Sequence, residues 1–247
     1  EDLACAASEA LPRFPDRYDA ILVDEAQDFH DLWWDPVLGL LAEPEWSRCY
    51  LFMDAAQRLY QRDANLPLRD PCRLTLRRTC RNTRAIASYV CDLVGHQGVR
   101  LGELPEGSSP VEVPVRDAEQ EVDAVRRTLH HLVQEQGLDP GRLVVLGYHR
   151  LANTAFWKQG RPRRLGNLEL VDIDQERGPN QVSYSTVKRF KGLERDVVLL
   201  VEVPWIQSDH LGEQERRALM YVGASRAKHG LYVLGLGGGG PEIRDLS

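Results

Sequence analysis

Cysteine pairs and long apolar runs are missing from this sequence. Its five cysteines are scattered and form no C-x-x-C pair, which argues against a disulfide framework or a zinc site and favours reduced thiols in the cytoplasm. No apolar run is long enough to cross a membrane, and none has the form of a signal peptide. We therefore expect a cytoplasmic protein that has no membrane partner.

An excess of positive charge is missing as well. The 247 residues carry a net charge of -6, which argues against a protein that binds nucleic acid through its overall charge. A local basic groove remains compatible with this balance. The chain is 43% hydrophobic and 28% charged, which is ordinary for a soluble globular protein of one large or two small domains.

The third absence concerns phosphate binding. The chain contains no G-x-x-x-x-G-K loop followed by serine or threonine, whose backbone amides and lysine hold the phosphates of a nucleotide in many ATPases. The only glycine-rich run in the sequence, residues 237–240, has no lysine. If this chain acts on a nucleotide, another segment must therefore supply that loop.

An apolar run that ends in two carboxylates is the most informative feature that is present. Residues 21–23 are Ile-Leu-Val, and Asp24 and Glu25 follow directly. Such a run predicts a strand covered on both faces of a parallel sheet, and ligands bind at the carboxyl ends of such strands. An ATPase needs one acid there to hold Mg²⁺ and a second group to activate water. A solvated acidic turn explains these residues equally well on their own.

Predicted strands alternate with predicted helices along the rest of the chain, which indicates an α/β fold built on parallel sheets. Glycine, proline and serine place a domain linker at residues 101–114, and residues 150–180 are expected to be irregular. Asp117 and Gln120 form a capping-box pattern at the start of a helix that ends at Gly137. The buried stripe of this helix is predicted to contain Val122, Val125, Leu129 and Leu132. The predicted strands are residues 50–54, 73–76, 143–146, 182–187, 197–203 and 231–234, and the other predicted helices are residues 31–41, 82–94 and 213–228.

Five blocks of sequence resemble the motifs of superfamily 1 DNA helicases of the UvrD/Rep type. Each block alone is a weak signal, but all of them occur in the family order. The blocks are V-D-E-A-Q-D at residues 23–28, M-D-A-A-Q-R-L-Y at 53–60, L-R-R-T-C-R-N-T at 76–83, S-T-V-K-R-F-K-G-L-E at 185–194 and R-R-A-L-M-Y-V-G-A-S-R-A at 216–227. The residues in these blocks are similar to those of compact bacterial helicases, some of which are fused to a nuclease-related domain.

The resemblance implies two RecA-like domains, each with a parallel sheet flanked by helices. Residues 1–75 are expected to form the C-terminal half of the first motor domain, 1A, and residues 76–247 the whole of the second, 2A. The short spacing between the fourth and fifth motifs implies that the inserted 2B domain is absent or reduced. In this family the phosphate-binding loop lies upstream of the acidic motif. We therefore expect the chain to be the C-terminal part of a helicase and to be inactive by itself.

The resemblance assigns catalytic roles to four residues and a metal-binding role to a fifth. Asp24 is expected to bind Mg²⁺, and Glu25 is expected to act as the general base. Gln57 is expected to contact the γ-phosphate of ATP and the attacking water, since a neutral amide both donates and accepts hydrogen bonds. Arg81 and Arg226 are expected to act as arginine fingers, because the planar guanidinium matches phosphate oxygens. In this family ATP binds between the two domains.

Five further residues are implied to contact ligands. Gly192 and Glu194 are expected to lie at the nucleotide, where glycine permits close approach of the backbone. Tyr60 is expected to stack on a base of single-stranded DNA, since stacking tolerates any sequence. Thr186 and Lys188 are expected to contact phosphates of the same strand.

Three positions depart from the family pattern. Cys80 stands where the family has a tyrosine that stacks on adenine, which leaves the selectivity for purines open. Lys188 replaces a histidine that faces DNA, and Arg62 replaces a stacking tryptophan of the better-known members. The nucleotide and DNA contacts therefore differ in detail from those of the better-known members.

Three hypotheses about function follow. The leading one is an ATP-dependent DNA helicase or translocase that moves 3′ to 5′ on single-stranded DNA, as the resemblance implies. The second is a motor linked to a nuclease domain or partner, with a role in DNA repair or defence. The third is a degenerate relative that binds partners or DNA without hydrolysing ATP. Intact Asp24, Glu25, Gln57, Arg81 and Arg226 argue against the third hypothesis, and the sequence upstream of residue 1 would discriminate among them.

Overall fold

The computed structural model describes residues 2–43, 45–54, 71–95, 100–203 and 210–235. The chain divides into two compact units, Glu1–Thr75 and Leu76–Ser247. Among the described residues, no helix combines the length and apolar character needed to cross a membrane.

The first unit is built around two short parallel strands, β1 (Ala20–Val23) and β2 (Arg48–Leu51). A parallel pair requires a crossover between its strands, and the described part of this crossover contains the short helix α2 (Trp34–Leu38). Helix α1 (Asp2–Ala10) precedes β1. Strand β2 begins and ends earlier than the strand predicted at residues 50–54. The helix predicted at residues 31–41 begins with a 3₁₀ turn, Asp31–Trp33.

The faces of this strand pair differ in exposure. Val23 and Trp34 are buried together in a small core. Leu22 and its register partner Tyr50 are 66% and 45% exposed. Because side chains alternate between the faces of a strand, Leu22 faces away from that core. The prediction that residues 21–23 are covered on both faces was wrong for this exposed face.

The second unit contains a seven-stranded sheet that is parallel except for one edge strand, within a mixed α/β fold. In space its strands follow the order β3-β11-β10-β4-β9-β8-β7. The strands of this unit are β3 (Val111–Pro114), β4 (Leu143–Gly147), β5 (Trp157–Lys158), β6 (Arg161–Pro162), β7 (Arg164–Leu165), β8 (Leu168–Asp172), β9 (Gln181–Thr186), β10 (Arg195–Leu200) and β11 (Ala227–Gly235). Strand β4 is buried along its whole length, as expected for a central strand that is covered on both faces.

In the described part of this unit, the sheet is flanked by the helices α3 (Arg84–Val94), α4 (Ala118–His130) and α5 (Glu213–Ser225). Leu199 of β10 belongs to the same buried core as α4. The next residue, Leu200, faces α5, because a Cβ at Gly223 would lie only 2.8 Å from its Cδ1 atom. Since neighbouring side chains of a strand point to opposite faces, α4 and α5 cover opposite faces of the sheet.

Helix α4 forms as its sequence predicts. The Asp117 carboxylate accepts a hydrogen bond of 2.8 Å from the Gln120 amide, which satisfies a donor of the first helical turn. The four residues of the predicted stripe, Val122, Val125, Leu129 and Leu132, are all buried. A π-helical turn, His131–Glu135, extends the helix before Gly137 adopts a φ of 68°.

Three predicted segments were wrong. The supposed linker at residues 101–114 contains β3, which pairs with β11 as an edge strand, where a terminal proline is tolerated. The supposedly irregular residues 150–180 contain β5 to β8. The turn of the β5–β6 hairpin places Gln159 and Gly160 at φ 53° and 76°, as a type I′ turn requires. Residues 73–76 form no strand.

The core of the second unit depends on the stripe of α4, and we expect Leu129→Ala to lower its free energy of unfolding by about 2–5 kcal/mol. Leu129 is fully buried, so the substitution leaves a cavity. Leu76→Ala is the matched control, because Leu76 is 83% exposed and its loss is expected to change stability by less than about 0.5 kcal/mol. Denaturant unfolding of both variants checks this, and equal losses would contradict the assignment of the core.

Candidate active site

The two carboxylates of the first unit lie directly after β1. Asp24 accepts a hydrogen bond of 2.9 Å from the Glu25 amide. Glu25 has a left-handed backbone with φ 51°, a conformation that is costly for residues other than glycine and recurs at functional sites. The end of β1 thus carries two neighbouring carboxylates, and the backbone of the second, Glu25, is strained.

Gln27 holds Glu25 in place, a role for which the sequence gave no signal. Its side chain is buried, and its Nε2 donates a hydrogen bond of 2.5 Å to Glu25 Oε2. Its Oε1 accepts from the Asp54 amide at 3.1 Å, beyond the end of β2. The amide side chain therefore ties the proposed general base to the neighbouring strand.

The donor chemistry at this edge suits Mg²⁺. Magnesium usually binds one or two protein carboxylates and keeps waters and substrate phosphates as its other ligands. Asp24 is exposed and directly follows β1. In the described part of the chain, no group of three His, Cys, Asp or Glu side chains could form a complete metal site. Asp24 therefore fits a shared site of this kind better than a closed protein cage.

In the second unit, three cations surround the Glu194 carboxylate. Arg81 Nε lies 3.2 Å from Glu194 Oε2, and Lys228 donates to Glu194 Oε1. The hydrogen bond from Lys228 and the positive charges of Lys228, Arg81 and Arg226 lower the pKa of Glu194. Three positive charges facing one carboxylate leave a net positive site, which suits a polyphosphate.

Arg226 lies at the junction of α5 and β11 and is only 1% exposed. Its Nε donates to the Val222 carbonyl at 3.0 Å, and its Nη2 donates to Ser225 Oγ at 2.8 Å. The guanidinium thus compensates the negative end of α5. The structure brings Arg226, Arg81 and Glu194 together with Lys228, which the sequence interpretation missed.

The proposed DNA contacts lie at the end of β9 and in the turn that follows it. Thr186 Oγ1 accepts a hydrogen bond of 3.2 Å from the Arg189 amide. Lys188 Nζ lies 3.1 Å from Glu215 Oε1 and 5.4 Å from the centre of the Tyr148 ring. Gly192 has φ 85° with open space around it, so its backbone conformation alone favours glycine here.

The residues proposed to contact the nucleotide and those proposed to contact DNA lie at opposite ends of the strands in this unit. Thr186 ends β9 and pairs with Gly147, whereas Glu194 directly precedes β10. Because β9, β4 and β10 are parallel, the carboxyl end of β9 and the amino end of β10 lie roughly 20 Å apart along the strands, at 3.3 Å per residue. Gln57 and Tyr60 lie outside the described residues.

Two carboxylates, Glu121 and Glu202, support the turn that follows β4, and the sequence gave no sign of them. Glu202 Oε2 accepts hydrogen bonds from the amides of Tyr148 (2.6 Å) and His149 (2.8 Å). The Glu202 amide donates to Glu121 Oε1 at 2.6 Å. Burial, together with the nearby charge of Glu202, raises the pKa of Glu121 to about 7 despite this hydrogen bond. Acidic residues are ordinary in the first turn of a helix such as α4, so Glu121 carried no distinctive signal.

Comparison with protein families agrees with the sequence resemblance. A family model of the UvrD-like helicase C-terminal domain matches residues 181–234. A solved structure of the C-terminal domain of a possible DNA helicase from Lactobacillus plantarum WCFS1 is similar to this chain, with 24% identity and a TM-score of 0.46, over 65% of this chain and 89% of that one. No curated protein matches the chain. The predicted resemblance to UvrD-type DNA helicases is confirmed by the family match, which spans β9 to β11.

The raised pKa of Glu121 predicts a pH-dependent stability. The folded-state pKa lies above the ordinary value of 4.5, so the contribution of Glu121 is fully present below about pH 4.5 and is lost as the pH rises through about 7. We expect Glu121→Gln to be more stable than the wild type by about 3 kcal/mol or less at about pH 8, with the difference vanishing at about pH 4.

Chemical denaturation across this pH range is the measurement, with the same substitution at the exposed Glu103 as the control. A Glu121→Gln variant whose stability parallels that of the wild type at every pH would show that Glu121 titrates normally.

Proposed function

We propose that this chain, whose residues 181–234 match the UvrD-like helicase C-terminal domain, is the C-terminal motor part of an ATP-dependent DNA helicase or translocase. The observation that carries the proposal is the set of three cations around Glu194. Arginine suits the recognition of phosphate because its planar fork is permanently charged. Movement 3′ to 5′ on single-stranded DNA comes from the resemblance.

The resemblance implies that the cations of the second unit and the carboxylates of the first both take part in ATP hydrolysis. Arg81 and Arg226 stabilise charge that develops on the transferred γ-phosphoryl group. Phosphoryl transfer is catalysed mostly by positioning and by such charge stabilisation. A phosphate oxygen that approaches Arg81 competes directly with Glu194 Oε2, which lies 3.2 Å from its Nε.

Glu25 accepts the proton of the attacking water in this scheme. Gln27 donates to one of its oxygens, which keeps the carboxylate oriented. Asp24 would hold Mg²⁺, which when bound would supply positive charge to the phosphates. Gln57 contacts the γ-phosphate and the water, as the resemblance implies.

The DNA strand is proposed to run along the carboxyl edge of the second unit, where Thr186 and Lys188 contact its phosphates. The ring of Tyr148 lies beside Lys188, so an aromatic face and a cation are presented together, as single-stranded DNA requires. Tyr60 adds a stacking contact in the first unit. A nuclease domain or partner in the full-length protein stays a prediction from the resemblance.

The second candidate function is a module that binds nucleic acid or a partner without hydrolysing ATP. One observation favours it, namely that the sequence contains no phosphate-binding loop. The two candidates differ in whether the full-length protein turns over ATP.

Arg226→Ala in the full-length protein is expected to lower kcat for ATP hydrolysis by roughly 10³-fold, as for other arginine fingers. Affinity for single-stranded DNA without nucleotide is expected to stay unchanged, because Arg226 and Thr186 lie at opposite ends of the strands. Arg217→Ala on the exposed side of α5 is the matched control. Since Arg226 is buried, Arg226→Lys is measured as well, and its thermal unfolding establishes that the protein is folded. Normal turnover in both Arg226 variants, or an equal loss of DNA affinity, would reject the role.

The 247-residue chain by itself is expected not to hydrolyse ATP. A phosphate-binding loop supplies a lysine and several charge-assisted amide contacts, at about 1.5–3 kcal/mol each. The sequence contains no such loop. The measurement is ATP turnover of the purified chain with and without single-stranded DNA, alongside its Glu25→Gln variant. Turnover that rises with DNA and disappears in Glu25→Gln would demonstrate a phosphate site elsewhere in this chain.

A further inference from the structure

Asn82 joins two segments of the second unit that are far apart in sequence. The residue is buried, and it directly follows Arg81. Its Nδ2 group donates one hydrogen bond of 3.1 Å to the Ser225 carbonyl and another of 2.5 Å to the Ala227 carbonyl. These two carbonyls flank Arg226 on either side. Both N–H hydrogens of the Asn82 carboxamide therefore hold the backbone on either side of Arg226.

Neighbouring backbone hydrogen bonds complete the connection. The amide of Thr83 donates to the Lys228 carbonyl at 3.1 Å, and the amide of Arg195 donates to the Arg226 carbonyl at 3.0 Å. Glu194 directly precedes Arg195, so its backbone is fixed to the same point. Three segments whose backbones meet around Arg226 thus carry the four charged residues of the second unit's site, which are Arg81, Glu194, Arg226 and Lys228.

We infer that Asn82 is a positioning residue for ATP hydrolysis, which fixes Arg81 relative to Arg226. The inference rests on the proposed function. A carboxamide offers two N–H donors from one nitrogen, and two carbonyl oxygens face that nitrogen here. Aspartate has the same shape but would place a carboxylate against both carbonyls, and a buried acceptor without a donor is costly. The segments would then separate, and the two guanidinium groups would lose their common frame.

The rate of reaction is the property that this frame controls. A displacement of about 1 Å at a catalytic group can lower turnover by about 10²-fold. Substrate affinity depends less on the mutual placement of two arginines, because each still attracts phosphate. Asn82→Asp in the full-length protein is therefore expected to lower kcat roughly tenfold to a hundredfold and to change KM for ATP by less than about threefold.

A double-mutant cycle tests whether Asn82 acts through Arg226. In an Arg226→Ala background, Asn82→Asp is expected to lower kcat by no more than about twofold, because residues that act as one unit are not additive. Asn82→Ser, which is neutral and keeps one donor, is expected to show an intermediate loss. The control is Asn167→Asp, which makes the same change of charge at an exposed turn. A wild-type kcat in Asn82→Asp, or an equal loss in both backgrounds, would overturn the inference.

Hydrogen exchange separates failure of this inference from failure of the proposed function. Loss of two hydrogen bonds is expected to speed the exchange of amides in residues 225–228 by about tenfold or more in Asn82→Asp, with α4 unchanged. If the wild-type protein shows no ATP turnover, the proposed function fails, and faster exchange still demonstrates the connection at Asn82. Unchanged exchange in residues 225–228 rejects that connection whatever the turnover is.

Discussion

The parallel hydrogen bonding of β10 between β4 and β11 is the constraint that positions the polar groups at both ends of this strand. Residue Val198 pairs with Val144 on one side and with Leu231 on the other. The amino end of β10 carries Glu194, and the segment beyond its carboxyl end carries Glu202. Because residues 197–200 are buried and apolar, a shift of register would expose them and bury charge. The apolar centre of the strand therefore determines where both polar ends lie.

Polar side chains of low exposure organise each end of the sheet, mainly through hydrogen bonds to backbone atoms. Glu202 accepts from two amides of the turn after β4, and Asn82 donates to two carbonyls around Arg226. A buried polar side chain is costly unless it is fully hydrogen-bonded. Once satisfied, it accepts only one arrangement of its partners. Such groups give each end a geometry that apolar packing alone would leave loose.

The sequence predicted those parts of the fold in which local pattern and tertiary structure agree. Helix α4 is an example, since its cap and its buried stripe are both visible within a few turns. Strand β3 was missed because glycine, proline and serine surround it, and its pairing with β11 is set by residues far along the chain. The β5 to β8 segment was missed because its strands are short and its turns are closely spaced.

Within the candidate site, the charged residues of the motifs could be named from the sequence, and their supports could not. Gln27 bonds to the Asp54 amide, Asn82 to the carbonyls beside Arg226, and Glu121 to the Glu202 amide. Each of these contacts joins residues that are distant in sequence, so no local periodicity encodes it. Lys228 was missed for a similar reason, because a lysine at the start of a strand is ordinary unless its carboxylate partner is known.

An extended strand cannot lengthen, and this gives β10 a mechanical property. Its backbone already rises close to the maximum of about 3.3–3.6 Å per residue. A displacement of Glu194 along the strand would therefore be delivered almost undiminished to Glu202 and to the turn at Tyr148 and His149. In this respect β10 is a stiff connection between the two ends of the sheet.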